Sequence, residues 1–170
     1  MAKKHDDDDE ESKSFESILD MPISELTRPK PLPQGTYKTV VRGLPAIGKS
    51  TKKGTEFSEY TLQILEAYDD VDTDALEATL TKGNGEVQRL QDRSLRLTFY
   101  HTPASGYRLG DFLSKDLGIE AKDEKGRPRK PRDMMQDAPG RQVAVHVKHD
   151  PSPDGETMYA NIDKTFPIKD

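Results

Sequence analysis

Residues Gly43 to Ser50, GLPAIGKS, spell the G-x-x-x-x-G-K-[ST] pattern of a phosphate-binding loop. In a nucleotide triphosphatase the backbone amides of this loop wrap the phosphates. Its Lys reaches the β and γ phosphates, its Ser holds magnesium, and a helix follows with its N-terminus aimed at the charge. TYKTVV supplies the strand that must come before. The helix that must come after is missing, because Ser50 leads into TKKGTEF and then into a segment of strand period, with Gly54 in the way. The motif therefore reads better as a basic hairpin loop carrying Arg42, Lys49, Lys52 and Lys53, four cations suited to phosphate contacts. A nucleotide-binding enzyme is the less favoured reading of the same residues.

A second basic cluster, Lys122, Lys125, Arg127, Arg129, Lys130 and Arg132, lies between the last helix signal and the next strand. Arg96, Arg141 and Lys148 add cations on or beside strand-like segments. Phe57, Tyr100 and Tyr159 fall on the outward side of their strands if the alternation holds. Rings among cations are what base stacking requires, at about 1–3 kcal/mol per base. Other constellations are weaker. His146 and His149 stand three apart on a strand, so their side chains point opposite ways, and His101 closes a strand. Acids between Glu66 and Glu77 lack the spacing of a calcium loop. With no cysteine there is no thiol catalysis, disulfide or thiolate metal site. No catalytic residue, metal ligand or cofactor is expected.

The elements that must position these residues come from a chain of 170 residues, 32% hydrophobic and 34% charged. That composition is too polar for a core spanning every position. The net charge is −5, and the first 20 residues account for all of it with three lysines against eight acids. Residues 1–20 therefore read as a disordered acidic arm, able to compete for a cationic groove or to recruit basic partners. Residues 21–33, MPISELTRPKPLP, read as a Pro-rich lead-in. No run approaches the roughly 20 apolar residues of a membrane span, and no secretory signal follows the start.

The body, residues 34–168, opens with TYKTVVRGL (36–44) as a β-branched strand. EFSEYTLQIL (56–65) alternates, with Tyr60, Leu62 and Ile64 on one face. An acidic insertion with a short helix fills 69–84. SLRLTFYHT (94–102) sets Leu95, Leu97 and Phe99 against Arg96, Thr98 and Tyr100. Leu109, Phe112, Leu113 and Leu117 keep helical spacing up to Gly118. RQVAVHVKH (141–149) and TMYANIDKTF (157–166) are the last strands, joined by an Asp-Gly turn. Mostly β, this is the order of an OB-fold: a five-stranded Greek-key barrel with one helix between strands 3 and 4, whose open face binds oligonucleotides or oligosaccharides; another small α+β sandwich is the alternative.

The runs PLPQGTYKTVVRGLP, KKGTEFSEYTLQIL, RLTFYHT, YRLGDFL, APGRQVAVHVKHDPSPDG and YANI resemble a group of small bacteriophage proteins. These are single-stranded-DNA-binding or uncharacterised recombination-cassette proteins with an OB-like domain. The resemblance covers roughly residues 29–166 and implies a non-enzymatic protein that coats or escorts single-stranded DNA in replication or recombination, in the cytoplasm of the infected host. Arg42, Lys49, Lys52, Lys53, Arg96, Arg141 and Lys148 are then expected at phosphates. Phe57, Tyr100 and Tyr159 are expected at bases. The acidic arm is expected to meet replication or recombination proteins. A structural or host-interaction adaptor, using the same barrel for protein contacts, is the alternative.

Overall fold

The computed structural model of the chain describes residues 19–20 and 30–168. Contacts divide the chain into a unit of residues 1–30 and a second unit of residues 31–170. Of the first, Leu19, Asp20 and Lys30 are described, and all three are exposed. The expected acidic arm and most of the Pro-rich lead-in lie outside the described residues.

In the second unit, alternation decides the strands. β1 (Gly35–Val41) turns Tyr37, Thr39 and Val41 into the core and leaves Thr36, Lys38 and Val40 on the outer side. Thr39 is polar and fully buried, and its hydroxyl is satisfied by donating to the Val143 carbonyl at 2.8 Å. Leu32 and Pro33 already belong to this body. Leu32 is buried, the Pro33 carbonyl accepts from the Tyr37 hydroxyl at 2.7 Å, and the Leu32 carbonyl meets His149 Nε2 at 2.7 Å.

After Gly43, whose φ of +77° only glycine adopts at low cost, the chain forms β2 (Ala46–Lys49) where a loop was expected. β2 pairs antiparallel with the start of β3 (Glu56–Ala67). The second half of β3 pairs with β1, and its other edge pairs with β4 (Ser94–Tyr100). Between β3 and β4, α1 (Thr73–Leu80) is started by Asp72, whose carboxylate accepts from the amides of Asp74 and Ala75. α2 (Gly106–Asp111) runs into a π-helical turn, Phe112–Asp116, marked by the Leu117 amide reaching the Phe112 carbonyl. α3 (Pro131–Met135) follows, with Pro131 at its first turn. β5 (Gln142–Pro151) pairs with β1, and β6 (Met158–Phe166) pairs with β5.

The result is a six-stranded antiparallel sheet, ordered β2-β3-β1-β5-β6 with β4 on the free side of β3. It is open, where a closed five-stranded barrel was expected. The register gives the reason: β4 pairs with Phe57–Gln63 of β3 and overlaps β1 only at Leu62 and Gln63, whereas β6 follows β5 past the opposite end of β1. β4 and β6 approach without a ladder, and the π-helical turn meets β6 through the Thr165 hydroxyl on Asp116. The inner face is filled by Tyr60, Phe99 and Phe112, with ring centroids 5.0–6.2 Å apart, and by the aliphatic residues of β3 and β5. Truncating a ring such as Phe112 to Ala costs about 3–5 kcal/mol. Among the described residues no helix is long and apolar enough to cross a membrane.

Candidate nucleic-acid interface

The outer face of β3 and β4 carries the side chains that the inner face cannot use. Register sets Phe57 opposite Tyr100, Glu59 opposite Thr98 and Thr61 opposite Arg96. The Phe57 and Tyr100 rings meet edge to face, with centroids 6.0 Å apart, and Tyr100 is 49% exposed. Phe57 can lie flat against the sheet because its neighbour on β2 is Gly48. A Cβ there would come within 2.8 Å of the ring's Cζ. The glycine of the phosphate-loop pattern is thus a seat for an aromatic ring.

The rest of that pattern is also spent on a hairpin. Lys49 is on β2, and the Ser50 amide and carbonyl bond to Thr55 and Gly54. The Ser50 hydroxyl accepts from the Thr55 amide at 3.2 Å. The next element is β3, so the helix that a phosphate-binding loop must lead into does not follow it. Lys52 and Lys53 are exposed in the turn. Lys49 alternates onto the side of β2 opposite Gly48 and so points away from the ring pair.

Arg96 and Arg42 complete the outer face from two directions. Arg96 lies on β4, 3.8 Å from Glu59, whose carboxylate also accepts from the Thr98 hydroxyl. Arg42, just past β1, donates to the Gln63 side chain at 2.6 Å, and Gln63 in turn donates to the Gln91 carbonyl. The structure therefore gathers Phe57, Tyr100, Arg96 and Arg42 on one face, with Lys52 and Lys53 on the hairpin that extends it.

The remaining three residues go elsewhere. Arg141 donates to the backbone carbonyls of Asp137 and Leu117 at 3.1 and 3.2 Å, so its guanidinium holds the ends of helical turns. Lys148 sits 3.7 Å from Asp150, and Asp150 is the register partner of Tyr159. Lys148 and Tyr159 lie past the Gly35 end of β1, while the Phe57–Tyr100 pair lies past the Val41 end. At about 3.3 Å per residue the separation is roughly 40 Å along the strands. Tyr159 is outward, as the alternation implied, but does not share a surface with Tyr100.

Sequence reasoning missed three features. Glu59 places an acid in the middle of the cationic face, a consequence of register alone. A second is a hydrogen-bonded chain: Glu56 Oε1 lies 2.9 Å from His101 Nδ1, and His101 Nε2 lies 2.5 Å from Ser58 Oγ. This is the order of an acid–base–nucleophile triad. Ser58, however, is fully buried on the core side of β3, so its hydroxyl is closed to a substrate, and the chain instead ties β3 to the end of β4. The third is a groove of about 630 Å³ between β2, α2 and α3. Leu44 and Ile47, apolar residues inside an otherwise polar loop, were its only signal.

The histidines and acids take structural roles. His146 Nδ1 lies 2.6 Å from Asp163, His149 meets Leu32 as above, and Asp70 accepts from the Thr36 amide and hydroxyl. In the basic segment 122–132, Asp123 holds Arg127 at 2.9 Å and Asp137 holds Arg129 at 2.7 Å, which leaves Lys122, Lys125, Lys130 and Arg132 outside any ion pair with a described residue. Compared with known proteins, the chain matches no family model and no curated protein.

Proposed function

We propose that the protein binds single-stranded DNA across the outer face of β3 and β4. The observation that carries the reading is the pairing of an exposed Tyr100 with a half-buried Phe57, seated on Gly48 and set on one face with Arg96 and Arg42. Stacked bases need a ring platform, and the backbone needs cations beside it; this face offers both within one sheet register. The strand order supports the same reading. Apart from β2, the sheet runs β4-β3-β1-β5-β6 with helices between β4 and β5, the order of an OB-fold opened between its third and fifth strands, and that fold binds oligonucleotides on this face. Resemblance to small bacteriophage proteins extends the proposal to replication or recombination, without enzymatic chemistry and without a cofactor.

Two variants test it by different physics. Tyr100→Ala weakens binding to a single-stranded oligonucleotide by about 1–3 kcal/mol with an almost unchanged salt slope, because stacking releases no counterions. Replacing both Lys52 and Lys53 with Ala flattens that slope by up to about 1.4, at ~0.7 per single-strand phosphate contact. If neither variant changes binding, the face is not the DNA site.

A further inference from the structure

The groove between β2, α2 and α3 lies on the other side of the β2 hairpin from the ring pair. Its walls are aliphatic: Leu44, Ile47, Leu109 and Met135, with Pro45 and Pro131. Leu44 and Ile47 are 57% and 58% exposed, more than a folded chain gains by showing, and they stand together rather than scattered. Among the lining residues the single carboxylate, Glu56, is occupied by His101. Cations stand at both sides. Arg132 lines the groove, Lys130 stands one residue before Pro131, and Lys49 shares with Ile47 the groove-facing side of β2. None of the three is in an ion pair with a described residue, whereas Arg89, Arg96, Lys115, Arg127, Arg129 and Lys148 each have an acid within 4 Å.

We propose that this groove is a docking site for an acidic peptide carrying aliphatic side chains. An apolar floor between unpaired cations is complementary to that composition and to no basic or uniformly polar one. The floor has no aromatic ring other than the His101 imidazole, so it lacks the stacking platform that single-stranded nucleic acid uses. β2 also ends the sheet, leaving one edge without a strand partner. An extended peptide paired to that edge sends alternate side chains to the face of Ile47, and so into the groove. Met135 supplies a surface that adapts to side chains of different shape.

The test is a displayed library of random twelve-residue peptides panned against the full chain, with the selected sequences then measured as labelled peptides by fluorescence anisotropy. The expected pool holds more Asp and Glu than Lys and Arg, together with Leu, Ile, Val or Met at alternate positions. Its members lose at least tenfold in affinity to Arg132→Glu and bind no further to a Leu44→Ser, Ile47→Ser double variant. Thermal melting checks that the double variant is folded; should it not be, Arg132→Glu, a surface change, carries the test alone. A neutral or basic pool, or no selection at all, overturns the proposal, as does binding indifferent to these substitutions. A dimer in sedimentation that the double variant abolishes gives the groove to a second copy. Loss of oligothymidylate binding by the double variant gives it to nucleic acid. Either result removes the peptide.

Discussion

Gly48→Ala isolates the seat of the Phe57 ring. The φ of Gly48 lies outside the left-handed region, so an alanine backbone fits there, but its Cβ would lie 2.8 Å from Cζ and 3.2–3.3 Å from the two Cε atoms. Carbon atoms prefer about 3.5–4.0 Å, so the ring tip must retreat by roughly 1 Å, away from β2 and from its present angle to Tyr100. Stability changes by less than about 1 kcal/mol: Gly→Ala restricts the unfolded chain by about 0.4–1 kcal/mol, and the ring can move outward to relieve the clash. Binding responds more. If the Phe57–Tyr100 pair supports a stacked base worth about 1–3 kcal/mol, tilting one ring forfeits about 1 kcal/mol, roughly a fivefold weaker Kd. The assay is a double-mutant cycle by fluorescence anisotropy on a labelled oligothymidylate, using the wild type, Gly48→Ala, Phe57→Ala and the double variant. Gly48→Ala should cost about fivefold in the wild type and nothing once Phe57 is gone, a coupling of about 1 kcal/mol. An equal cost in both backgrounds would refute the seat, and with it the claim that this ring pair is preorganised for bases.

Other consequences are independent of that cycle. The Tyr60 hydroxyl is buried and has no hydrogen-bond partner among the described residues, and burial pushes its pKa up to about 12. Tyr60→Phe is therefore neutral or stabilising, whereas Tyr37→Phe strands the Pro33 carbonyl and costs about 1–3 kcal/mol; denaturant melts that shift both variants the same way contradict this. Burial holds the Asp116 carboxyl above its usual range, despite the hydrogen bond from Thr165. The native state then binds this proton more readily than the unfolded chain, so the group's contribution is full at low pH and is lost as pH rises through its raised pKa. Asp116→Asn should become relatively more stable over that window and level off above it, by less than about 1 kcal/mol because solvent screens a half-buried group; a benefit that grows toward acid pH would reverse the sign. Glu59→Gln removes the acid between the rings and Arg96 and should tighten oligonucleotide binding by up to about 1 kcal/mol, read as a lower Kd at low salt.

Local alternation was legible and long-range register was not. Tyr60, Leu62 and Ile64 point inward and Arg96 and Tyr100 outward because a strand has a period of two, a property of each segment alone. The helical spacing ending at Gly118 survives too, although a π-helical turn replaces its second half. Where two segments meet depends on partners far away in sequence. Tyr159 and Tyr100 both face outward but lie at opposite ends of the sheet, since β5 slides past Gly35 and β3 past Val41. Arg141 looks like a free cation until the turns bearing Asp137 and Leu117 arrive beside it. Residues 45–49 contain Pro, Gly and Lys, which read as a loop. The ladder to β3 makes Ala46–Lys49 a strand, and it is this strand that turns Lys49 away from the Phe57–Tyr100 face and opens the groove.

The most direct test of the DNA reading is a salt titration of the full chain against matched single-stranded and double-stranded oligonucleotides of equal length. Logarithmic plots of affinity against salt should be linear and negative for the single strand, with binding at least tenfold tighter than to the duplex. Tyr100→Ala should lower the single-strand line without changing its slope. Equal affinity for both forms with a line that Tyr100→Ala leaves in place, or no binding at low salt, would contradict a stacking face on β3 and β4.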